Sequence, residues 1–330
     1  MSYYSDIKKK YNIDQLSLFP DISKATLRLE LSNNCNHRCI FCLNSEMPRV
    51  RREMPEEMVY DILGQACAVG IKRAGLFING EPFISKHLPD YIRFCKEHGM
   101  EYVFITTNGA LATKERLTAC IEAGVDSIKF SINAGSRESY QKVHGSDDYE
   151  KVLSHLRFAH DYKRTRAEKL PFRLLASCVV TDDVVDEINT ISETVGPLVD
   201  DLLFFHAHNF GGQAESDKAG LQTKFQNNKV TDFYFNKVVP CPYLFNLVCI
   251  TCEGYMTLCI EEVNNKMVFA DLSKVSLMDA WHSEIMVRMR EKHIENKLQG
   301  TQCYNCVYHV YDEVAPLNEE LYRASQREGK

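Results

Sequence analysis

Three cysteines near the start of the chain, Cys35, Cys39 and Cys42, are spaced C-x3-C-x2-C in the segment Leu31-Ser-Asn-Asn-Cys-Asn-His-Arg-Cys-Ile-Phe-Cys42. Three thiolates on one tight loop hold three irons of a cubane cluster and leave the fourth iron open, which a closed four-thiolate site cannot do. An open iron implies reaction chemistry. Structural zinc is the alternative, but zinc takes four ligands, and only His37, inside the first spacer, is at hand to complete the triplet.

A second set, Cys241, Cys259, Cys303 and Cys306, lies toward the other end with spacings C-x17-C, C-x43-C and C-x2-C. It has a rival, because Cys249-x2-Cys252 and Cys303-x2-Cys306 make two C-x2-C pairs, the way a zinc ribbon is built. That rival abandons Cys241 and Cys259, and the stretch between its pairs exceeds the usual finger spacing. Of the thirteen cysteines, Cys67, Cys95 and Cys120 sit inside helical or apolar patterns, where a free thiol behaves as a small hydrophobe.

Elements must bring these loops to one place. From residue 26 onward, short β-branched runs alternate with amphipathic stretches, the βα pattern of a parallel sheet with covering helices. Strands are expected at 26–32, 73–77, 102–107, 127–132, 173–180 and 202–206, and helices at 55–69, 88–98, 114–122, 149–163 and 184–195, several ended by Gly. Such a (β/α)6 series is a partial TIM-like barrel, and the triplet follows its first strand, on the face where αβ barrels gather reactive groups. Residues 210–229 lose periodicity and mark a boundary. Beyond them, 246–251 and 255–260 read as a hairpin turning at Glu253-Gly254, followed by a helix at 277–292. The expected division is an extension at 1–25, a barrel at 26–210, a linker at 211–237, a small cysteine-bearing domain at 238–310 and a polar peripheral tail at 311–330.

The 39 Lys and Arg against 45 Asp and Glu give a net charge of -6, which argues against a broad phosphate-tracking surface and hence against nucleic acid as partner. The N-terminus lacks the apolar core of a signal peptide, and no run approaches the ~18 apolar residues of a membrane span. A cytoplasmic protein with no membrane association is expected.

Three further motifs follow successive strands. Asn79-Gly80-Glu81-Pro82 comes after the second, Thr107-Asn108-Gly109 after the third, and Ser131-Ile132-Asn133 ends the fourth. Together with the cysteine triplet, in this order, they resemble the radical S-adenosyl-L-methionine (SAM) superfamily. The resemblance implies that SAM chelates the open iron and is cleaved to a 5'-deoxyadenosyl radical. It implies that Asn79, Gly80, Glu81 and Pro82 meet the methionyl amine, that Asn108, Ser131 and Asn133 line the pocket, and that Phe41 packs near the adenine. Ser177 on the fifth strand and His206 on the sixth point to the same side, the alternative being satisfied core polar groups, which is the reading favoured for His206.

The later cysteines resemble the Twitch domain, a shortened SPASM domain, of the aminocyclitol dehydrogenase subgroup. There Cys241, Cys259, Cys303 and Cys306 would hold one auxiliary cluster, making two [4Fe-4S] clusters in all. The resemblance implies an oxidoreductase that takes hydrogen from a small polar substrate, of the sugar, aminocyclitol or nucleotide-sugar class, with the auxiliary cluster accepting the second electron. Only about 25 residues precede the first strand, short for a peptide-binding module. Alternatives are a radical epimerase using Cys249 or Cys252 as hydrogen donor, a peptide-modifying enzyme, and a metal-binding protein without turnover. A flavodoxin- or ferredoxin-type reductant is implied. Arg49, Arg51 and Arg52 are read as a solvated face, with substrate anion binding or reductant docking as the functional alternatives. Glu253, Glu261, His206 and His208 are candidate bases.

Overall fold

A computed structural model describes residues 16–166, 171–207, 209–213, 230–231 and 239–327. One mixed sheet of ten strands organises the chain, in the order β10-β9-β8-β1-β2-β3-β4-β5-β6-β7. Its centre is β1 (Thr26–Leu29), β2 (Arg73–Gly75), β3 (Tyr102–Thr107), β4 (Ser127–Ser131), β5 (Arg173–Val180) and β6 (Asp201–His206). All neighbouring pairs among these are parallel. The short β7 (Val230–Thr231) extends the sheet beyond β6.

Helices α1 (Glu56–Ala68), α2 (Leu88–Glu97), α3 (Lys114–Glu122), α4 (Arg137–His144), α5 (Tyr149–Arg166) and α6 (Ile188–Val195) connect the strands. Their sequences carry the required stripe: in α2 the buried residues are Leu88, Tyr91, Ile92 and Cys95, the i, i+3, i+4, i+7 face of a helix lying on a sheet. Burying each such large apolar side chain contributes roughly 1.5–3 kcal/mol. Cys95 and Cys120 are fully buried in this layer and Cys67 is half-buried against it. Helix α4 was absent from the expected set. It starts on a capping box between Ser136 and Ser139 and ends at left-handed Gly145.

The two sheet faces separate cleanly by alternation. Leu27, Leu29, Ala74, Val103, Ile105, Ile128, Phe130, Leu174 and Ala176 belong to the helix-covered core. Arg28, Gly75, Phe104, Lys129, Ser131, Leu175 and Ser177 alternate with them and face the barrel lumen. Gly75 lets Phe104 and Arg28 close over it: a Cβ there would lie 2.7 Å from the Phe104 ring and 3.1 Å from Arg28.

The C-terminal part is no satellite. Its hairpin, β8 (Leu247–Ile250) and β9 (Tyr255–Thr257), is antiparallel as expected, but β8 pairs in parallel with β1, and β10 (Val268–Asp271) continues the sheet. One hydrophobic cluster therefore includes Leu27, Val248, Met256 and Trp281 together. Four helices complete this part: α7 (Tyr243–Asn246), α8 (Leu277–Trp281), α9 (Glu284–Ile294) and α10 (Gln302–Tyr308).

The expected peripheral tail also has a structural duty. Its helix α11 (Glu319–Ser325), capped by Asn318, buries Leu321 and Ser325. Ser325 then accepts a hydrogen bond from the Val50 amide at 2.9 Å, and Arg327 Nε donates to the Arg49 carbonyl at 3.0 Å. Among the described residues no helix is long and apolar enough to cross a membrane.

Candidate active site

The cysteine loop leaves β1 and is closed at its neck by its own return strand. Met54 donates its amide to the Leu31 carbonyl at 2.8 Å and Asn33 to that of Arg52 at 3.2 Å. Arg51 staples the interior, donating to the Asn33 carbonyl at 2.6 Å and to Asn44 Oδ1 at 2.9 Å. Each of the three thiols has a nitrogen beside it. Asn108 Nδ2 is 3.7 Å from Cys35 Sγ, His144 Nδ1 is 3.6 Å from Cys39 Sγ, and the Asn44 amide donates to Cys42 Sγ at 3.4 Å. As free thiols they resist ionisation: burial pushes Cys35 up to about 11, Cys39 well above its usual range and Cys42 upward. Metal supplies the positive charge that ionises such thiols. Three clustered sulfurs with donors already aimed at them fit a cluster that carries negative charge on its ligands.

The companion motifs are built against this loop. Gly80 has no space for a side chain, since a Cβ would lie 2.0 Å from the Ser32 carbonyl and 2.7 Å from that of Asn34. The glycine's close approach is thus to the cysteine loop itself, and the Glu81 amide donates to the Asn34 carbonyl at 2.8 Å. Glu81 is buried, and its carboxylate accepts from Thr107 Oγ1 at 2.7 Å, the Asn108 amide at 2.8 Å and the Phe83 amide at 3.0 Å. It ties the second-strand motif to the third-strand motif, and burial pushes its carboxyl up to about 6. Pro82 opens the short turn that follows. Asn79 is turned toward β1, donating to Glu30 Oε1 at 3.1 Å and to the Glu262 carbonyl. Ser131 and Ser177 are side by side in register on the lumen face. Asn133 is engaged at both ends of its amide, with Oδ1 accepting from the Val179 amide at 2.7 Å and Nδ2 lying 3.3 Å from His144 Nε2. Phe41 is half-buried against the core.

The second set is carried by three elements. Cys241 precedes α7, Cys259 lies two residues past β9, and Cys303 and Cys306 share one face of α10 at i, i+3. Burial pushes the Cys259 thiol well up, followed by the charges of Glu261, Cys241, Cys306 and Cys249 around it. The turn at residues 210–212 is pressed on α10: a Cβ at Gly212 would lie 2.7 Å from the Cys306 amide nitrogen, and Gln302 donates to the Gly211 carbonyl at 3.0 Å.

Residues 29–187 match the radical SAM superfamily and residues 241–307 match the SPASM iron-sulfur cluster-binding domain. The chain is a radical SAM protein that carries a SPASM domain. Its first 28%-identical curated relative is the GTP 3',8-cyclase of Chlorobaculum tepidum, aligned over 127 residues that make up 38% of each chain. The chain spans about two-fifths of the length of such curated relatives. Among solved structures, BtrN in complex with AdoMet and 2-DOIA is similar with a TM-score of 0.56 at 18% identity, covering 86% of this chain and 91% of that one. Streptococcus suis SuiB bound to the precursor peptide SuiA gives 0.62 at 15% identity, covering 86% and 68%. These likenesses carry the fold, and the two domain matches carry SAM and [4Fe-4S] clusters as cofactors.

In this radical SAM protein the two spare hairpin cysteines part company. Cys252 is in the helix-side core and lies 3.4 Å from Arg49 Nη2. Cys249, fully buried, is on the opposite face, paired in register with Arg28, and the charges of Arg28, Glu261 and Cys241 act on it. Burial pushes both thiols up. They do not face one site, so the zinc-ribbon pairing with Cys303 and Cys306 has no geometric support.

The basic stretch is likewise divided. Arg49 is fully buried, not solvated. It bridges Glu30 at 2.5 Å and Glu253 at 2.6 Å, while Glu30 also accepts the Cys252 amide at 2.9 Å. Two carboxylates hold it charged despite the burial that opposes its charge. This network fastens β1, the loop's return strand and the SPASM hairpin. Glu253 is consumed by it, and Arg51 is the loop staple already described, leaving Arg52 exposed. His206 alternates onto the face of Phe204 and pairs with Val180, which places it on the helix side and away from Ser177. His208 lies outside the described residues.

The residues missed from the sequence cluster around Cys39. His144 is fully buried, its ring stacked on Tyr140 at 4.0 Å and 11°. Its Nδ1 is 3.3 Å from His37 Nδ1, whose Nε2 is 3.2 Å from Asp148 Oδ2. Burial holds the His144 imidazole down at about 3. The signal was available in the Ser136-x2-Ser139 start and the Gly145 stop of α4, but nothing in one sequence indicates that its last residue reaches the cysteine loop.

Proposed function

We propose that this radical SAM enzyme is an oxidoreductase acting on a small polar substrate with an anionic group, within the sugar, aminocyclitol or nucleotide-sugar class. Arg28 is the observation that supports this reading. Its guanidinium stands in the lumen 4.0 Å from the Phe77 ring centroid and 5.2 Å from that of Phe104, and its Nε is buried with no hydrogen-bond partner. A buried donor without a partner is costly, and a planar guanidinium suits a carboxylate or phosphate bidentately. Cys249 is beside it in register, and Ser131 and Ser177 line the same lumen face, which supports reading this cation as part of the substrate site.

When bound, SAM and its cluster supply a radical able to take hydrogen from an unactivated C–H bond, and the auxiliary cluster supplies an electron acceptor. The chain's own groups then divide the remaining work. Arg28 fixes the substrate. Glu261, two residues after Cys259, whose sulfur its amide meets at 3.4 Å, is the carboxylate assigned to take the proton from a substrate hydroxyl as a ketone forms. Small-molecule substrates and a flavodoxin- or ferredoxin-type reductant complete the proposal.

Anaerobic enzyme with dithionite, SAM and a panel of phosphorylated, carboxylated and neutral sugars tests it. The expected result is a product two mass units lighter, formed only from the anionic members, with Arg28→Met lowering turnover at least about tenfold. Oxidation of neutral sugars at equal rates would sink the role of Arg28. A second reading is favoured by the position of Cys249 on the lumen face: its thiol can give a hydrogen atom to a substrate radical, forming an epimer and a thiyl radical that an electron from the flavodoxin- or ferredoxin-type reductant and a solvent proton restore to the thiol. Turnover in heavy water separates the two, because only epimerisation through Cys249 places solvent deuterium on carbon.

A further inference from the structure

We propose that His144 donates a hydrogen bond from Nδ1 to the Cys39 thiolate and thereby raises the reduction potential of the SAM-binding cluster. The geometry places Nδ1 3.6 Å from Cys39 Sγ, within the range of a nitrogen donor to sulfur. The tautomer is fixed from the other side of the ring. The backbone N–H of Asn133 is an obligate donor and points at His144 Nε2 from 3.2 Å, so Nε2 accepts and the ring hydrogen of neutral His144 is on Nδ1. Stacking on Tyr140 and complete burial hold the ring in that orientation.

The same N–H has one competitor. His37 Nδ1 lies 3.3 Å from His144 Nδ1. With Nε2 of His37 beside the Asp148 carboxylate at 3.2 Å, the His37 ring donates outward and its Nδ1 is an acceptor. The hydrogen is therefore forked between a neutral nitrogen and a charged sulfur, and a charged acceptor makes the stronger bond. Reduction adds negative charge to the cluster and its thiolates. A donor held in a low-dielectric interior favours that state, and hydrogen bonds to the sulfurs are among the determinants of cluster potential.

His144 also connects two parts of the SAM side. Asn133, whose amide His144 receives through Nε2, lies two residues beyond lumen-facing Ser131, so the ring spans from the end of the fourth strand to the first cluster loop. It is a positioning and tuning residue, touching ligand sulfur and not substrate. The inference does not depend on which substrate is used.

The test uses the full chain with both clusters reconstituted anaerobically, in an EPR-monitored potentiometric titration of the signal that changes on adding SAM. His144→Phe keeps the stacked ring and removes the N–H. At a fixed solution potential its reduced-to-oxidised ratio is expected to fall about tenfold, which is about 59 mV for a one-electron couple. His144→Asn, whose amide nitrogen can occupy the place of Nδ1, is expected to recover most of the shift. Iron and sulfide content establish that each variant holds its clusters. An unchanged midpoint in a fully loaded His144→Phe protein overturns the proposal, as does an Asn variant that falls as far as Phe. A readout on the unaltered protein guards against a variant that does not fold: with histidine labelled by nitrogen-15 in the ring, pulsed EPR of the reduced cluster should detect a weak nitrogen coupling, and its absence contradicts the hydrogen bond.

Discussion

Cys35, Cys39 and Cys42 come from a single loop, whereas Cys241, Cys259, Cys303 and Cys306 are drawn from three elements spread over more than sixty residues. The contrast shows in what holds each set. The loop is stapled within by Arg51 and clamped from outside by Gly80, the Arg49 network and the returning α11 segment. The distant set is assembled by the sheet, through β8 joining β1 and through the 210–212 turn pressed on α10. That difference is the one the proposed ligand sets require, three sulfurs from one loop for an iron left open to SAM and four from three separate elements for a closed cluster.

Removing one sulfur from each set separates their duties most strongly. Cys39→Ala is expected to abolish 5'-deoxyadenosine formation while keeping about half of the iron, and Cys259→Ala to keep SAM cleavage while losing substrate oxidation. Chromatography of the nucleoside beside an iron assay distinguishes them. Equal loss of SAM cleavage in both variants would erase the division.

The clamp between the regions is next in size. Arg49→Met leaves Glu30 and Glu253 buried without their cation, and breaking such a pair costs roughly 3–5 kcal/mol. Urea unfolding followed by Trp281, the single tryptophan and fully buried, should move by that amount. A change below about 1 kcal/mol, the worth of a surface pair, would mean that the network does not join the two halves.

Gly80→Ala acts on the first set alone. The methyl would meet the Ser32 carbonyl at 2.0 Å, so the second-strand motif must lift from the cysteine loop. SAM binding measured by equilibrium dialysis is expected to weaken by about 10–100-fold, as for other residues that orient a metal site, with the iron of the auxiliary set unaffected.

The smallest expected effect is a pH dependence. Glu81 has its folded pKa raised from 4.5 to about 6, so between those values the folded protein holds a proton that the unfolded chain has released. Stability contributed by the protonated carboxyl is full below about 4.5 and lost as pH rises through 6, by about 2 kcal/mol. The difference in unfolding free energy between wild type and Glu81→Gln, followed from pH 4.5 to 7, should carry that slope. A slope of opposite sign would place the ionised form as the preferred one.

Much of the sheet was legible because its signals are local. The strands Tyr102–Thr107 and Arg173–Val180 match their expected ranges residue for residue, and helix Lys114–Glu122 does so as well. The loop cysteines were legible for the same reason. Long-range pairing was not: nothing in 247–250 announces that β8 will add to β1, and a run of three arginines gave no sign that Arg49 would be enclosed by carboxylates from β1 and the hairpin. Glu81 reads in sequence as a partner for SAM, and its bonds to Thr107 and Asn108 show a brace that depends on the end of another strand, β3. His144 was invisible for want of a partner in sequence, since its neighbours Cys39 and Asn133 come from different units.

The most direct measurement is Mössbauer spectroscopy of iron-57 protein reconstituted anaerobically, with and without SAM, alongside a zinc assay. Two [4Fe-4S] clusters are predicted, with SAM altering one iron site of one cluster and leaving the other unchanged. Zinc in place of the second cluster, or two clusters both indifferent to SAM, would contradict the account of one open and one closed site.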